Sequence, residues 1–291
     1  GKPMNTTTTK TVTPAGTPGI PVRRMDFHFD EDIPLYWFDN NPFLTMLLTG
    51  LSCVFPEGER MFMRSVRHYQ DRISDPELQK AVRAFIGQEA HHGKEHEAFN
   101  AFMAGKGLPI AKLMEFVRIG IAREESFLSK ERMLAKTCAL EHFTAMFAEQ
   151  ILEHPEFLDA MDERLRPLWL WHAVEESEHK AVAFDVYQRQ IGSYWVRTSE
   201  MAMTTMLFSF FTGLHTVQLL HHQGELGNWR SIRKGMRRLA GPQGFFRGLL
   251  PRYLAYYRPD FHPDQVDSRA LRDKGLRMLQ AYLRNKRLQA A

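Results

Sequence analysis

The chain has 291 residues, 44% hydrophobic and 25% charged, with a formal net charge of +4, which is typical of a folded globular protein. The small net charge gives no sign of a nucleic-acid partner. The only cysteines are Cys53 and Cys138, which excludes a disulfide framework and a thiolate metal cluster. Any metal site must therefore use carboxylates and histidines, and a reducing cytoplasmic compartment is expected.

Residues 1–24 open the chain with a stretch rich in Thr, Pro and Gly, which predicts a disordered N-terminal tail. This stretch has no basic segment followed by an apolar run, so it is unlike a secretory signal peptide. Both features favour a cytoplasmic protein whose folded part begins near residue 25.

Helical periodicity dominates residues 41–190, whereas strand patterns are scarce. Short turn signals such as Ser74-Asp75-Pro76 and Gly105–Pro109 separate four long apolar-periodic stretches. The stretches cover approximately residues 56–73, 77–103, 124–154 and 162–190, with a shorter helix expected at 43–54. Residues 105–122 are long enough for a crossover connection. The pattern predicts an all-α protein whose residues 25–195 form a four-helix bundle.

The inward faces of these helices carry ionisable side chains where a bundle normally places apolar ones. In the second helix, for example, a glutamate and a histidine interrupt a stripe of Leu, Val, Phe and Met residues. Six such residues stand out: Glu59 in the first helix, Glu89 and His92 in the second, Glu141 in the third, and Glu176 and His179 in the fourth.

Sequence spacing places these residues at one depth of the bundle. Glu59 and Glu89 are 30 residues apart around the Ser74–Pro76 turn, and Glu141 and Glu176 are 35 apart around a point just past the third helix. Each helical hairpin therefore brings its two glutamates to the same depth. At 1.5 Å per residue, Glu59 and Glu89 lie about 22 Å from the first turn. Within one helix, Glu-x-x-His places both side chains next to each other, so each motif can address one metal ion.

Four buried carboxylates at one level need compensating positive charge. Two divalent cations would supply it, with glutamate oxygens and neutral imidazole nitrogens as ligands. Iron is favoured, with manganese or zinc as alternatives, because structural zinc prefers four ligands that often include cysteine. The alternative without metal is a set of polar residues that satisfy one another and fix the register of the helices.

Neighbouring polar residues suggest additional roles around the predicted site. His172 lies one turn before Glu176 on the same stripe and is a candidate seventh ligand. Gln88 and Glu175 each precede a motif glutamate and are candidates for fixing a histidine tautomer across the bundle. Glu95 and Asp185 are further candidates of this kind. The polar residues expected around the ligands or on the surface are His91, His96, His142 and Glu178.

The pairing of two glutamates with two Glu-x-x-His motifs resembles the ferritin-like carboxylate di-metal superfamily, which includes ribonucleotide reductase small subunits, acyl desaturases and hydrocarbon monooxygenases. Residues 25–260 also resemble a bacterial family described as predicted metal-dependent hydrolases, through the segments FPEGER, QEAHH and HAVEESEHKAVAFD. The spacing of His172, Glu176 and His179 is similar to the His-x-x-x-Glu-x-x-His ligands of p-aminobenzoate N-oxygenases. That similarity implies that His172 is an extra iron ligand and that an amine is oxygenated.

The C-terminal part, residues 196–291, predicts further helices packed on the bundle. Residues 201–224 contain no Asp, Glu, Lys or Arg, which predicts a buried fifth helix, an interfacial helix or a membrane span. Residues 228–259 contain eight Lys or Arg, no acidic residue and several aromatic residues. This basic region is either a solvated surface or a contact for anionic lipid or an acidic carrier protein, and no motif indicates nucleic acid.

Three functions fit these observations. The first is a non-heme di-iron oxidoreductase that activates O2 and acts on an apolar, amine or lipid-like substrate, with electrons from a separate donor protein. The second is a metal-dependent hydrolase that uses the same residues. The third is iron storage or detoxification, which the long C-terminal region disfavours. A peripheral membrane location and a homodimer are left open.

Overall fold

The computed structural model of the protein describes residues 19–290, with side chains described to residue 285. An isolated bridge between Phe38 and Met161 is the only β pairing in this range, so the prediction of an all-α protein is confirmed. A short 3₁₀ helix lies at Pro263–Gln265. In chain order the α-helices are α1 Pro42–Gln70, α2 Pro76–Gly105, α3 Ile110–Phe127, α4 Lys130–Glu153, α5 Glu156–Asp159, α6 Arg166–His179, α7 Val182–Gln190, α8 Tyr194–His222, α9 Trp229–Ala240, α10 Leu249–Ala255 and α11 Arg269–Ala290.

A helical bundle is formed by α1, α2, α4 and the pair α6 and α7. α1 packs on α2 and α4, while α6 and α7 each pack on both α2 and α4. Ser52 contacts His96, and Gln79 donates a hydrogen bond to the Gln70 carbonyl. In both pairs the midpoint between the two residue numbers is near 74, as expected for antiparallel helices joined there. Helices α1 and α2 therefore run antiparallel around the predicted turn. Helix α8 lies on α1 and α4, and α11 lies on α4 and α6.

Helix α1 continues through a proline at which the sequence predicted a boundary between two helices. Pro56 has no amide hydrogen to donate to the Ser52 carbonyl, four residues earlier. In the structure Asn100 Nδ2, on α2, donates to that carbonyl at 2.9 Å. The prediction of separate helices at 43–54 and 56–73 is therefore wrong, because a side chain from another helix replaces the missing hydrogen bond.

The predicted crossover connection at 105–122 is itself largely helical. Helix α3 covers Ile110–Phe127 and packs on α1 and α2 through buried side chains that include Leu113 and Val117. The third bundle helix, α4, begins at Lys130 rather than near residue 124. Its start is set by Ser129, whose hydroxyl accepts a hydrogen bond from the Arg132 amide at 3.2 Å.

The predicted fourth helix is shorter at its start and interrupted after His179. Residues 160–162 instead exchange backbone hydrogen bonds with the segment 37–39, at 2.7 and 2.8 Å. The interruption lies at Lys180, whose buried ammonium group donates to Glu149 and Ser268 at 2.8 Å each. The prediction of one continuous helix over 162–190 is therefore wrong, because two helices, α6 and α7, occupy this range. The partners of Lys180 lie in distant segments of the chain.

The predicted N-terminal tail overlaps the described residues only at its end, since residues 1–18 lie outside them. Residues 19–24 have no regular secondary structure. Arg23 nevertheless forms ion pairs with Glu175 at 2.8 Å and Glu178 at 2.6 Å, both on α6. This part of the tail is therefore attached to the bundle rather than free of it.

The uncharged stretch 201–224 forms most of α8, which buries one side against α1 and α4. The opposite side exposes large apolar residues, including Trp195, Met206 and Phe210. None of the helices in residues 19–290 has the length and apolar character needed to cross a bilayer. The structure thus agrees with a helix that covers the bundle, although only one of its sides is buried.

Candidate metal centre

Seven ionisable side chains that the sequence singled out meet in the middle of the bundle. Each points inward because residues three or four apart share one face of a helix. All are at most 5% exposed. They are Glu59 on α1, Glu89 and His92 on α2, Glu141 on α4, and His172, Glu176 and His179 on α6.

The seven side chains form two groups of four that share Glu176. In each group, one donor atom per residue lies within 4.8 Å of the others. The first group is Glu59, His92, His172 and Glu176, and the second is Glu89, Glu141, Glu176 and His179. The Glu-x-x-His motif of α2 is thus divided between the groups, whereas the sequence predicted that each motif would address one ion.

Several donor atoms of the centre are buried without any hydrogen-bond partner. They are Glu59 Oε2, both carboxylate oxygens of Glu89 and of Glu141, and His92 Nδ1. Leaving so many polar atoms unsatisfied in a protein interior would be strongly destabilising. Cations bound between them would satisfy both their charge and their lone pairs. The residues present therefore fit a pair of divalent ions.

Gln88 determines which nitrogen of His179 is free to bind a cation. The Gln88 amide nitrogen donates to two other oxygens, which leaves its Oε1 2.7 Å from His179 Nδ1. Because an amide oxygen only accepts, we assign the imidazole proton to Nδ1 and a lone pair to Nε2. His179 Nε2 lies 2.9 Å from Glu89 Oε1 and 3.4 Å from Glu141 Oε2.

Glu175 has the corresponding role for His92. His92 Nε2 donates to Glu175 Oε1 at 2.8 Å, and Arg23 holds the other oxygen of Glu175 at 2.8 Å. In its neutral form His92 therefore has its lone pair on Nδ1, which has no hydrogen-bond partner. This nitrogen lies 3.7 Å from Glu176 Oε1 and 3.9 Å from Glu59 Oε2.

His172 is oriented by a chain of hydrogen bonds from α1 and α2. Ser52 donates its hydroxyl hydrogen to Asn100 Oδ1 at 2.7 Å, so Ser52 Oγ accepts from His96 Nδ1 at 2.8 Å. His96 Nε2 then accepts from His172 Nδ1 at 2.6 Å. His172 Nε2 is left with a lone pair, 3.0 Å from Glu176 Oε1. All three imidazoles thus direct a free nitrogen toward the carboxylates.

The charges of the metal-free centre interact strongly. Burial, together with the charges of neighbouring glutamates, raises the pKa of Glu59 and Glu141 well above the usual range. Burial opposes protonation of His92, but hydrogen bonds and charge interactions with Glu175 and Glu89 together outweigh this effect and raise its pKa to about 9. Without metal, the centre therefore holds protons on these groups, and divalent ions would displace them.

A family model described as predicted metal-dependent hydrolase matches residues 21–267. The chain belongs to this family. The match confirms the family resemblance drawn from FPEGER, QEAHH and HAVEESEHKAVAFD, and the matched range contains all seven residues of the centre. No curated protein and no solved structure matches the chain. The resemblances to the ferritin-like superfamily and to p-aminobenzoate N-oxygenases stay predictions.

Aromatic rings enclose the centre of this member of the predicted metal-dependent hydrolase family. Trp171 meets His92 edge-on with ring centroids 4.9 Å apart. Phe85 and Phe55 make the same kind of contact with His179 and His172, respectively, also at 4.9 Å. These rings restrict the imidazoles to one orientation and keep the surroundings apolar, which strengthens electrostatic interactions inside the centre.

A small cavity reaches the centre at Glu141, with room for about one water molecule. The hydroxyl group of Tyr256 is buried there without a hydrogen-bond partner. Burial raises the pKa of the Cys138 thiol, which keeps it neutral and unsuited to binding a cation. The cavity is lined by Cys138, Glu141, His142, Ala145, Lys180, Phe184, Tyr256 and Pro263.

The prediction that Gln88 and Glu175 are partners of histidines across the bundle is confirmed. The role of His96 as the partner of His172 was not predicted, since His96 was expected only around the ligands or on the surface. Two other candidates lie outside the centre. Glu95 accepts a hydrogen bond from the Phe27 amide at 3.2 Å, and Asp185 pairs with His262.

Other contributors to the centre were not predicted from the sequence. The hydroxyl of Thr144 donates to Glu176 Oε2 at 3.0 Å. Ser52 and Asn100 orient His96, and Arg23 balances the charge of Glu175. No spacing rule connects these residues to the ligands. A polar side chain on an inward stripe was the only available signal for Ser52 and Asn100.

Proposed function

We propose that this protein is a metal-dependent hydrolase whose centre would hold two divalent ions, one in each of the two groups of side chains that share Glu176. The observation that carries the proposal is the convergence of buried donor atoms, many without hydrogen-bond partners, into two groups that share this carboxylate. Membership of the predicted metal-dependent hydrolase family supports hydrolysis as the reaction. Two divalent ions supply Lewis acidity and lower the pKa of water, as hydrolysis requires.

The residues around the two positions have distinct tasks in this proposal. Glu59, His92 and His172 would hold one ion, and Glu89, Glu141 and His179 would hold the other. Glu175, His96 and Gln88 hold the three imidazoles in the tautomers that leave a nitrogen free for metal. Thr144 fixes one oxygen of the shared Glu176.

The cavity at Glu141 is the proposed side of approach for the substrate. Ala145 and Phe184 are apolar parts of its wall, and Glu141, His142 and Lys180 are polar parts. Tyr256 offers a buried hydroxyl donor to an oxygen atom of the substrate. Burial disfavours the phenolate and raises the pKa of Tyr256, which keeps its hydroxyl group protonated. This cavity has room for the water molecule that hydrolysis consumes, and the substrate class proposed is a small ester, amide or related compound.

The ligand set favours iron or manganese, with zinc as the alternative. All seven donors are carboxylate oxygens or imidazole nitrogens, and the nearby thiol of Cys138 stays neutral. Carboxylate-rich sites of six or seven ligands suit Fe or Mn, whereas structural Zn prefers four ligands.

A second candidate function is a di-iron oxidoreductase that activates O2 and acts on an apolar or amine substrate. The observation that favours it is the position of His172, which joins the first group as its extra nitrogen donor. Aromatic rings around the centre would protect a reactive oxidant from water. In this case electrons would come from a separate donor protein.

The two functions can be separated by loading the metal-free protein in parallel with Fe(II), Mn(II) or Zn(II). Hydrolysis is measured with a panel of chromogenic esters, amides and phosphoesters, and O2 uptake with an oxygen electrode. The Glu89→Ala/Glu176→Ala variant is the control for adventitious metal. Hydrolysis by the loaded protein that is lost in the variant would support the first proposal. O2 uptake by the Fe(II) form without any hydrolysis would replace it with the second.

A further inference from the structure

Helix α9 presents a basic face to solvent. Arg230, Arg233, Lys234 and Arg237 are all exposed and line one shallow groove together with Trp229. At about 100° per residue, these four cations fall within an arc of about 100° on the helix. The spacing i, i+3, i+4 and i+7 concentrates them on one side, well away from the metal centre.

The opposite face of α9 attaches the helix flat against the protein. Ser231, Gly235 and Leu239 are its buried residues. An added Cβ at Gly235 would collide with the ring of Phe43 on α1, so the two helices approach closely. The basic face is therefore turned outward along its whole length, rather than at one end of the helix.

Most of the positive charge on this face is not neutralised within the protein. Among residues 19–285, only Asp39 comes near it, 3.5 Å from Lys234 and 3.8 Å from Arg238. Arg230, Arg233 and Arg237 form no ion pair with a carboxylate in that range. Concentrated cations repel one another, so an external anion would stabilise the arrangement.

Large apolar side chains border the cations on one edge of the same face. Trp229 is 71% exposed and Met236 is 47% exposed. They are seven residues apart, hence on one line along the helix, next to Arg233. Exposed tryptophan beside a row of arginines is typical of helices that lie in the interface of a membrane.

We propose that α9 binds the surface of a bilayer containing anionic phospholipid. The cations match the lipid phosphates, and Trp229 and Met236 reach into the boundary of the acyl chains. A second copy of this chain does not fit, because a two-fold contact would place these cations against their counterparts. An acidic protein would match the charge but would leave the bordering apolar edge without a role. The proposal is independent of the metals and of the reaction.

The test is co-sedimentation of the full-length, metal-loaded protein with vesicles of phosphatidylcholine alone or of phosphatidylcholine mixed with phosphatidylglycerol. The variant Arg230→Glu/Arg233→Glu reverses two cations on the proposed face. Its matched control is Lys80→Glu/Arg83→Glu, which reverses two exposed cations at the same spacing on α2. Equal metal content and thermal unfolding of all three proteins establish that folding is unchanged.

The wild type is expected to bind the vesicles that contain phosphatidylglycerol and to be released by salt. Reversal of Arg230 and Arg233 should weaken this binding at least about tenfold, since each cation near an anionic surface contributes substantially. The α2 control should bind like the wild type. Absence of wild-type binding, or equal binding by the Arg230/Arg233 variant, would overturn the proposal. Capture of duplex DNA or of an acidic protein without vesicle binding would also overturn it.

Discussion

Each imidazole of the centre is oriented by a chemically different neighbour. Glu175 is a carboxylate and raises the basicity of His92 directly, whereas Gln88 is a neutral amide that only accepts the Nδ1 proton of His179. The third neighbour, the imidazole of His96, is itself fixed by Ser52. We therefore expect the two metal positions to differ in affinity, although each contains carboxylates and imidazole.

Replacing Gln88 by Leu tests the orientation of His179. The variant removes the acceptor of the Nδ1 proton, so His179 can adopt the wrong tautomer or rotate. We expect metal affinity at the position formed with Glu89 and Glu141 to fall about 10- to 100-fold. The measurement is a competition titration with a chelator.

The matched control for that experiment is Gln150→Leu. Gln150 is equally buried, but its amide donates to the carbonyls of Phe245 and Arg247, away from the centre. Its replacement should lower the free energy of unfolding without changing metal affinity. Equal affinity loss in both variants would mean that the Gln88 effect is a general consequence of destabilisation.

Replacing His96 by Leu tests the other metal position. His172 would lose the acceptor of its Nδ1 proton, and the chain from Ser52 would end. We expect a lower affinity for the ion held with Glu59, while the ion held with Glu141 is retained. A two-step metal titration measures both affinities. Loss of both ions together, or of neither, would contradict the assignment of His172 to one group.

At the scale of elements, the proline inside α1 belongs to the hydrogen-bond network that orients His172 in the metal centre. Pro56 leaves the Ser52 carbonyl without its helical donor, and Asn100 supplies one. The same Asn100 accepts from the Ser52 hydroxyl, which in turn accepts from His96. A proline in the middle of a long helix is therefore coupled, through Asn100 and His96 on α2, to the orientation of His172 on α6.

Close packing of α11 on the bundle is a second feature at this scale. A Cβ added at Gly275 would lie 2.5 Å from Leu152 Cδ2 and 2.9 Å from Val174 Cγ2, on α4 and α6. Gly275→Ala should therefore reduce the free energy of unfolding by about 1–3 kcal/mol. Denaturant unfolding measures this change. Gly120→Ala is the control, since no atom lies within 4 Å of its added Cβ, and it should stabilise α3 by up to about 1 kcal/mol.

The level of the ligands could be predicted from the sequence because it depends on local quantities. Helical rise is constant and the turn at Ser74–Pro76 has its own signals, so Glu59 and Glu89 had to meet. The division of α2 ligands between two groups depends on side-chain directions across helices, which spacing does not contain. At the interruption, Lys180 contacts Glu149 and Ser268, which are far away in the chain and which spacing does not connect to it.

At the scale of the whole molecule, the centre links stability to pH and metal. The raised pKa values of Glu59 and Glu141 mean that the folded metal-free protein binds protons that the unfolded chain has released. Their contribution to stability is present below the usual carboxyl pKa and is lost as pH rises through the raised values. His92 adds the same trend from its ordinary value of 6.5 up to about 9.

We therefore predict that metal-free protein loses stability between about pH 6.5 and about pH 9, whereas metal-loaded protein does not. Below this range the lowered pKa values of the buried His96 and His172 act in the opposite sense. Glu89 does not affect this range, because its pKa of about 2 keeps it ionised throughout. The difference in melting temperature between the two forms should grow with pH, as thermal unfolding at several pH values would reveal. Metal binding at neutral pH should also release protons, detectable with a pH indicator. A difference that shrinks with rising pH would contradict this account.

The most direct test is the metal content of the reconstituted protein and of single-ligand variants. The shared position of Glu176 predicts two ions per chain in the wild type and loss of both in Glu176→Ala. Glu59→Ala should lose one ion, and Glu57→Ala should keep both, because Glu57 pairs with Arg60 instead. Elemental analysis after removal of free metal provides these numbers. A wild type that retains no metal, or a Glu176→Ala variant that retains two ions, would contradict a two-metal centre.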